Sequence, residues 1–301
     1  MSTLPPEITI YKMQGSGNDF VFINNNELHL HQSNMPDWAR RICRRSFGAG
    51  ADGLIFLEDS SDPAVDYCWH FYNADGSRAE MCGNGSRCAA KLAYALGMAP
   101  AEHILGTDAG PVRAAVEQKT GEVRVQLTTP HSYQAHIDLD LSSGRRVTVH
   151  LVNTGVPHLV LFSEQADSEE LESLGPALRY HQYFAPAGAN VNIVQIEDKS
   201  SLYVRTYERG VEDETYACGT GAAASAFVAA NLGLCSNPVR IRTSGGEQLG
   251  ITLSGQDIFL QGQAVLVYTA QLVLEAVGLK SKENETYEFA PRRAVCNSRE
   301  P

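Results

Sequence analysis

Glu80-Met-Cys-Gly-Asn-Gly-Ser-Arg-Cys-Ala-Ala-Lys-Leu-Ala-Tyr-Ala-Leu-Gly97 has a second copy in the same chain, Tyr216-Ala-Cys-Gly-Thr-Gly-Ala-Ala-Ala-Ser-Ala-Phe-Val-Ala-Ala-Asn-Leu-Gly233. Cys82 aligns with Cys218, Gly83 with Gly219, Gly85 with Gly221, Leu96 with Leu232 and Gly97 with Gly233, each pair 136 residues apart with no gap. Each copy reads as a loop, a Cys-Gly-x-Gly turn and a helix of about three turns closed by glycine. A repeat this long points to two similar half-domains, because solenoid periods are far shorter.

Around the two copies the chain is rich in short β runs. Ile8 to Met13 and Phe20 to Asn24 flank the turn Gln14-Gly-Ser-Gly-Asn-Asp19, and Leu54 to Leu57 and Tyr67 to Tyr72 follow. Asp37 to Phe47 has helical spacing, with Asp37 as its cap after Pro36. Val112 to Gln118 and Val123 to Leu127 read as a hairpin about Thr120-Gly121. In the second half, strands are expected at Val147 to Val152, Leu159 to Phe162, Asn192 to Ile196, Leu202 to Tyr207, Val239 to Thr243, Leu249 to Leu253 and Ile258 to Tyr268, with a helix over Ser168 to Leu178. The fold class is therefore α/β, with two pseudosymmetric half-domains, each a β-sheet or barrel wrapped around a central helix. The first half-domain is expected over 1–129, completed by residues from about 264–275. The second is expected over 130–263, with 276–301 as a polar, disordered tail.

Composition narrows the classes of function. With 301 residues, 43% of them hydrophobic, the chain can bury a sizeable core, and its net charge of -11 argues against a general nucleic-acid binder. Seven cysteines without framework spacing favour a reduced, cytoplasmic setting over a disulfide scaffold. The first residues lack the basic and apolar regions of a signal peptide. Ala217 to Cys235 carries no charge but consists mainly of small residues, so it reads as a buried helix and not as a membrane span.

The chemistry resides in the repeated cysteines. A cysteine at a helix N-terminus faces unpaired N–H groups and the positive end of the macrodipole, so Cys82 and Cys218 are expected to ionise below the ~8.5 of a free thiol. The adjoining glycines let backbone N–H groups approach an anion. If the halves face each other, a carboxylate sits between two helix N-termini. One thiolate then removes an α-proton while the other thiol protonates the opposite face, inverting the carbon. A lone cysteine at such a position is often a small buried hydrophobe, but two in matched turns of a repeat favour catalysis. Cys43, Cys68, Cys88, Cys235 and Cys296 lack this context. A zinc site is disfavoured by the spacing of Cys82 and Cys88, and a redox pair by the absence of Cys-x-x-Cys.

At these residues the chain resembles the diaminopimelate epimerases over about residues 8–275. The resemblance rests on Lys12-Met-Gln-Gly-Ser-Gly-Asn-Asp-Phe20, Gly50-Ala-Asp-Gly53, Phe71-Tyr-Asn-Ala-Asp-Gly76, Met81-Cys-Gly-Asn-Gly85, Gly188-Ala-Asn190, Tyr207-Glu-Arg-Gly210 and Ala217-Cys-Gly-Thr-Gly221, in that order. It implies interconversion of LL- and meso-2,6-diaminopimelate with no cofactor and no metal, in a cleft between the halves, serving lysine and peptidoglycan precursor synthesis. The implied partner is a small amino-acid substrate, with neither nucleic acid nor membrane, and relatives of this kind can form homodimers.

Carried over by motif, Cys82 and Cys218 are the acid and base. Gly83, Asn84, Gly219 and Thr220 hold the reacting carboxylate, and Asn18, Asn73, Asn190, Glu208 and Arg209 read the rest of the substrate. His158 and Glu208 resemble residues that set the thiol protonation states, although a lone histidine equally suits a packing role. Two positions depart from the pattern. Val156 stands where many relatives carry Asn, and Gly53 where many carry Gln, which bears on substrate specificity. The alternatives are a two-cysteine racemase for another amino acid, such as proline or histidine, and a non-catalytic binding protein. A guanidinium suited to gripping a second carboxylate argues against the first, and a symmetric thiol pair against the second.

Overall fold

The computed structural model describes residues 4–279. The chain separates into two compact units, one made of residues up to Val125 and from Gln263 onward, the other of Gln126–Gly262. The first unit contains β1 (Glu7–Gly15), β2 (Asn18–Asn24), the short helix α1 (Asn25–Leu28), α2 (Met35–Ile42), β3 (Gly53–Asp59), β4 (Tyr67–Asn73), α3 (Gly83–Ala95), β5 (Glu102–Thr107), β6 (Gly110–Val116) and most of β7 (Glu122–Leu127). Its remaining strand, Val265–Val273, comes from the end of the described chain and pairs antiparallel with β1. From that strand through β1 to β7, successive pairings run antiparallel, antiparallel, parallel, antiparallel, parallel, antiparallel, antiparallel.

The second unit repeats this succession. It contains β8 (His131–Asp140), β9 (Arg146–Asn153), β10 (Pro157–Phe162), α4 (Leu171–Arg179), β11 (Asn190–Asp198), β12 (Ser201–Glu208), the three-residue β13 (Asp213–Thr215), α5 (Gly219–Asn231), β14 (Val239–Thr243), β15 (Gln248–Ser254) and β16 (Asp257–Gln263). Taken from β8 through β12 to β14 and β16, the pairings have the same seven senses in the same order. The strand Val265–Val273, β17, thus occupies in the first unit the place that β8 occupies in the second.

A parallel pair needs a crossover, and each unit has two built on helices. In the first, α2 joins β2 to β3 and α3 joins β4 to β5. In the second, α4 joins β10 to β11 and α5 joins β12 to β14. The two helices of a unit cover opposite faces of its strands, which explains why Leu54, Ile55, Phe56 and Leu57 in β3 are all buried and show no alternation. Leu54 and Phe56 share a core with Trp38, Ala39 and Ile42 of α2, whereas Ile55 lies against Gly85 of α3. In α3 every residue from Asn84 to Ala90 is buried, as expected of a helix wrapped by strands.

Several boundaries differ from those expected. The second helix runs over Met35–Ile42 with Pro36 inside its first turn, and Asp37 is not its cap but pairs with Arg41 at 2.6 Å. It ends early, and the Ile42 and Cys43 carbonyls are taken by the Gly50 and Ala51 N–H groups of the returning loop, each at 3.1 Å. The helix expected from Ser168 begins at Leu171, after a turn of 3-10 helix. Leu279, at the start of the stretch expected as a tail, is 1% exposed and belongs with Leu274 to the core of the first unit. Residues 280–301 of the expected tail lie outside the described residues. No helix among the described residues is long and apolar enough to cross a membrane.

Gly53 opens β3 opposite Asn73, and a Cβ there would meet Phe71 Cε2 at 2.5 Å and the Tyr72 carbonyl at 2.9 Å. This position is packed and has no room for a longer side chain. Gly53→Ala is expected to cost about 1–3 kcal/mol through overpacking, read as a lower urea midpoint at unchanged slope; an unchanged midpoint would contradict the packing.

Candidate active site

Each long crossover helix starts on a cysteine. Cys82 is the N-cap of α3 (φ -152, ψ 118) and Cys218 the N-cap of α5 (φ -118, ψ 109), and both helices span 13 residues. Gly97 (φ 72) and Gly233 (φ 70) take the left-handed conformation that ends each helix. N-caps are usually Ser, Thr, Asp or Asn, whose oxygen satisfies an early N–H. A sulfur is a poorer cap: Gly85 N–H reaches Cys82 Sγ at 3.4 Å, and the Cys218 side chain makes no capping bond. Both cysteines are half-buried.

In the first unit Cys82 Sγ donates to Asn18 Oδ1 at 3.7 Å. The Asn18 amide is fixed from behind, because its Nδ2 donates to Asp52 Oδ2 at 2.6 Å. Asp52 and Asp19 share Arg45, and Asp19 also takes Lys12 Nζ at 2.5 Å. Burial works to raise the Asp19 carboxyl, but the bonds to Lys12 and Arg45 outweigh it and hold the group below its ordinary value. This charged bracket was not foreseen, since its four side chains come from three separate stretches of sequence. Asn73 ends β4, exposed, and bonds Ser77 Oγ at 3.0 Å. Gly83 and Asn84 form the first turn of α3, and the buried Asn84 Oδ1 has no donor among the described residues.

In the second unit Cys218 Sγ lies 3.4 Å from Thr220 Oγ1, which lies 2.9 Å from His158 Nε2. Burial pushes the Cys218 thiol up to about 12; the Glu208 carboxylate adds to this and the Thr220 hydroxyl opposes it. The shift runs opposite to the expected depression, with burial its largest cause. Burial likewise raises the Glu208 carboxyl, against a 2.9 Å bond from Thr215 Oγ1. Arg209 therefore has no ion pair with Glu208, and its guanidinium makes one long bond, 3.4 Å, to the Ala187 carbonyl. Asn190 is a brace, accepting from Arg209 N–H at 2.7 Å and donating to the Pro157 carbonyl at 3.2 Å. Gly219 opens α5. Asn192, fully buried beside His158, was missed; the available signal was a second Asn two residues after Asn190, on the same face of the strand.

Matching registers relate the halves residue by residue. Phe20 pairs with Gly53 and His158 with Asn190, so Asn18 corresponds to Val156, each two residues earlier. Asn18 touches the first cysteine, and its counterpart is an apolar side chain. Among the described residues no three or more His, Cys, Asp or Glu converge to hold a metal ion.

Comparison with known proteins bears on this arrangement. The family model for diaminopimelate epimerase matches residues 10–132 and 150–267. A diaminopimelate epimerase of a Hydrogenobaculum species is 44% identical, covering 88% of this chain and 99% of that protein. One from Aquifex aeolicus is 41% identical, covering 89% and 98%. Among solved structures, a hydroxyproline epimerase from Agrobacterium vitis superposes with a TM-score of 0.66 at 15% identity, covering 91% of this chain and 94% of that one. At that identity the likeness shows the fold alone.

His158 supplies a test of the local electrostatics. Burial, and then the charge of Arg209, lowers its pKa to about 3, whereas an unfolded imidazole titrates near ~6.5. Between those values the unfolded chain binds the proton that the folded chain excludes, so stability falls as pH drops. Over that window the native chain is expected to lose about 1.4 kcal/mol per pH unit more than His158→Gln, measured by urea unfolding at stepped pH. Equal slopes would contradict a neutral buried imidazole.

Proposed function

We propose that this chain, which belongs to the diaminopimelate epimerase family, interconverts LL-2,6-diaminopimelate and meso-diaminopimelate in lysine biosynthesis. The observation that carries the proposal is the family match across both halves, each with a cysteine in place of an ordinary helix cap. In this reading the two caps serve opposite faces of one α-carbon. The substrate carboxylate takes the helix N–H groups at Gly83, Asn84, Gly219 and Thr220, which a thiol cap leaves for a ligand. Asn84 Oδ1, a buried acceptor, suits the ammonium beside that carboxylate.

The proton transfers balance without any further reagent. Cys82 as thiolate takes the α-proton, breaking C–H and forming S–H, and the electron pair passes into an enolate-like carboxylate held by the N–H dipoles. Cys218, kept protonated by burial, gives its proton to the opposite face and becomes the thiolate. The reverse reaction exchanges the roles. Arg209, with no acidic partner among the described residues, grips the distal carboxylate with two parallel bonds, and Asn18, Asn73, Asn190 and Glu208 frame the rest of the substrate. A cytoplasmic setting and a homodimer belong to the same reading.

Purified protein with reductant should convert LL-diaminopimelate to the meso isomer; no meso product would overturn the proposal. Arg209→Ala is expected to lose roughly 100-fold or more in kcat/KM, and unchanged kinetics would remove it from substrate binding. Cys82→Ser and Cys218→Ser should each lose about 100-fold to 10,000-fold; either variant at full rate would show that its thiol is not an acid or base.

A further inference from the structure

Asn192 lies on β11, fully buried, with no route to a substrate of its own. Its amide makes three bonds: Nδ2 to the Leu159 carbonyl at 2.8 Å, Nδ2 to His158 Nδ1 at 3.2 Å, and Oδ1 from Thr206 Oγ1 at 3.0 Å. These fix the direction of the protons as far as the Thr220 oxygen. A carbonyl only accepts, so the atom facing Leu159 must be the NH2 group, which settles which way the amide points. Its second hydrogen then faces His158 Nδ1, and that nitrogen must accept. A neutral imidazole carries a single N–H, so the proton resides on Nε2 and is donated to Thr220 Oγ1 at 2.9 Å. The Thr220 hydroxyl keeps a proton of its own, and Cys218 Sγ lies within its reach at 3.4 Å, a contact in which either atom can donate.

We propose that Asn192 is a positioning residue that locks His158 as the Nε2–H tautomer and so turns the Thr220 hydroxyl proton toward the sulfur of Cys218. The opposite tautomer would set Nδ1–H against the Asn192 NH2 group and draw the Thr220 proton away to Nε2, leaving lone pairs facing the sulfur. Gly221 belongs to the same device: a Cβ there would stand 2.3 Å from Asn192 Oδ1, so α5 can approach this amide only with glycine at that position. The neutrality of the imidazole, favoured by its burial, keeps the tautomer well defined.

The consequence for the reaction rests on the function proposed above. When Cys218 gives its proton to the carbon, S–H breaks, C–H forms, and a half-buried thiolate is left that needs a donor. The Thr220 O–H supplies it, and no proton travels along the chain. The first cysteine is served differently, because Asp52 fixes the Asn18 amide so that its oxygen accepts from Cys82. The side chain beside each sulfur thus differs, a hydroxyl at Cys218 and an amide oxygen at Cys82, so the two thiols are not interchangeable.

The test needs no substrate, which separates it from the assignment of activity. In nitrogen-15 NMR spectra of the native protein, His158 should show a protonated Nε2 and an unprotonated Nδ1; the reverse assignment or an averaged pair of shifts would overturn the proposal. In a Cys82→Ser background, alkylation of Cys218 by iodoacetamide is followed by peptide mass spectrometry against pH. Thr220→Val should slow it about tenfold at pH values where the thiol is mostly protonated, and Thr220→Ser should restore the rate. Asn192→Asp, which accepts from Nδ1–H and so reverses the tautomer, should slow it to a similar degree. A Thr220→Val profile identical to that of its parent would refute the donor role. If these results hold while no meso product forms from LL-diaminopimelate, the relay stands and the assigned reaction fails.

Discussion

A helix that begins inside a wrapped sheet brings its first N–H groups to a place where water cannot simply satisfy them. Most such helices solve this with an oxygen-bearing cap. Both central helices here use a thiol, which caps weakly through a long contact in α3 and makes no capping bond in α5. The fold is arranged around that deficit. Gly85 and Gly221 let each helix pack closely on the strands behind it, and polar side chains behind each turn hold the sulfur in one environment. An anion is what such a turn lacks, and a reactive sulfur stands beside it.

The duplication extends from the helices to the whole succession of strand pairings, yet the chemistry depends on where the copies differ. Behind Cys82 stands a charged bracket of Lys12, Asp19, Arg45 and Asp52 that holds an amide. Behind Cys218 stands a neutral chain through Thr220 to the buried His158 and Asn192. The first is expensive to bury but stays exposed at Arg45 and Asp52; the second has no formal charge and tolerates full burial at His158 and Asn192. Val156, at the place corresponding to Asn18, leaves the second half without an amide of its own at that point.

The cysteine helices were legible because Cys-Gly-x-Gly and a closing glycine recur at matched positions, and the buried β runs because they are apolar and β-branched. Elements without periodicity were not. Most of the first residues of β8, His131, Ser132, Gln134, Ala135 and His136, are exposed, and its pairing with β9 slips twice. Pro36 reads as the residue before a helix but lies within the first turn, which moved the boundary by two residues. The direction of the Cys218 shift was not legible either: the sequence reveals the helix terminus but not the burial that raises the thiol. Nor can a sequence show that Asn192, His158 and Thr220, from two strands and a helix, meet in one line of hydrogen bonds.

Deuterium incorporation during the first turnovers tests the two-thiol account most directly. LL-diaminopimelate is mixed with enzyme in heavy water under reducing conditions, and product and recovered substrate are separated and weighed for label at the α-carbon. Two opposed thiols predict deuterium in the meso product, delivered by a solvent-exchanged S–D, while recovered LL substrate remains unlabelled at the outset. Label entering both at equal rates would mean that one base serves both faces, and would contradict the account.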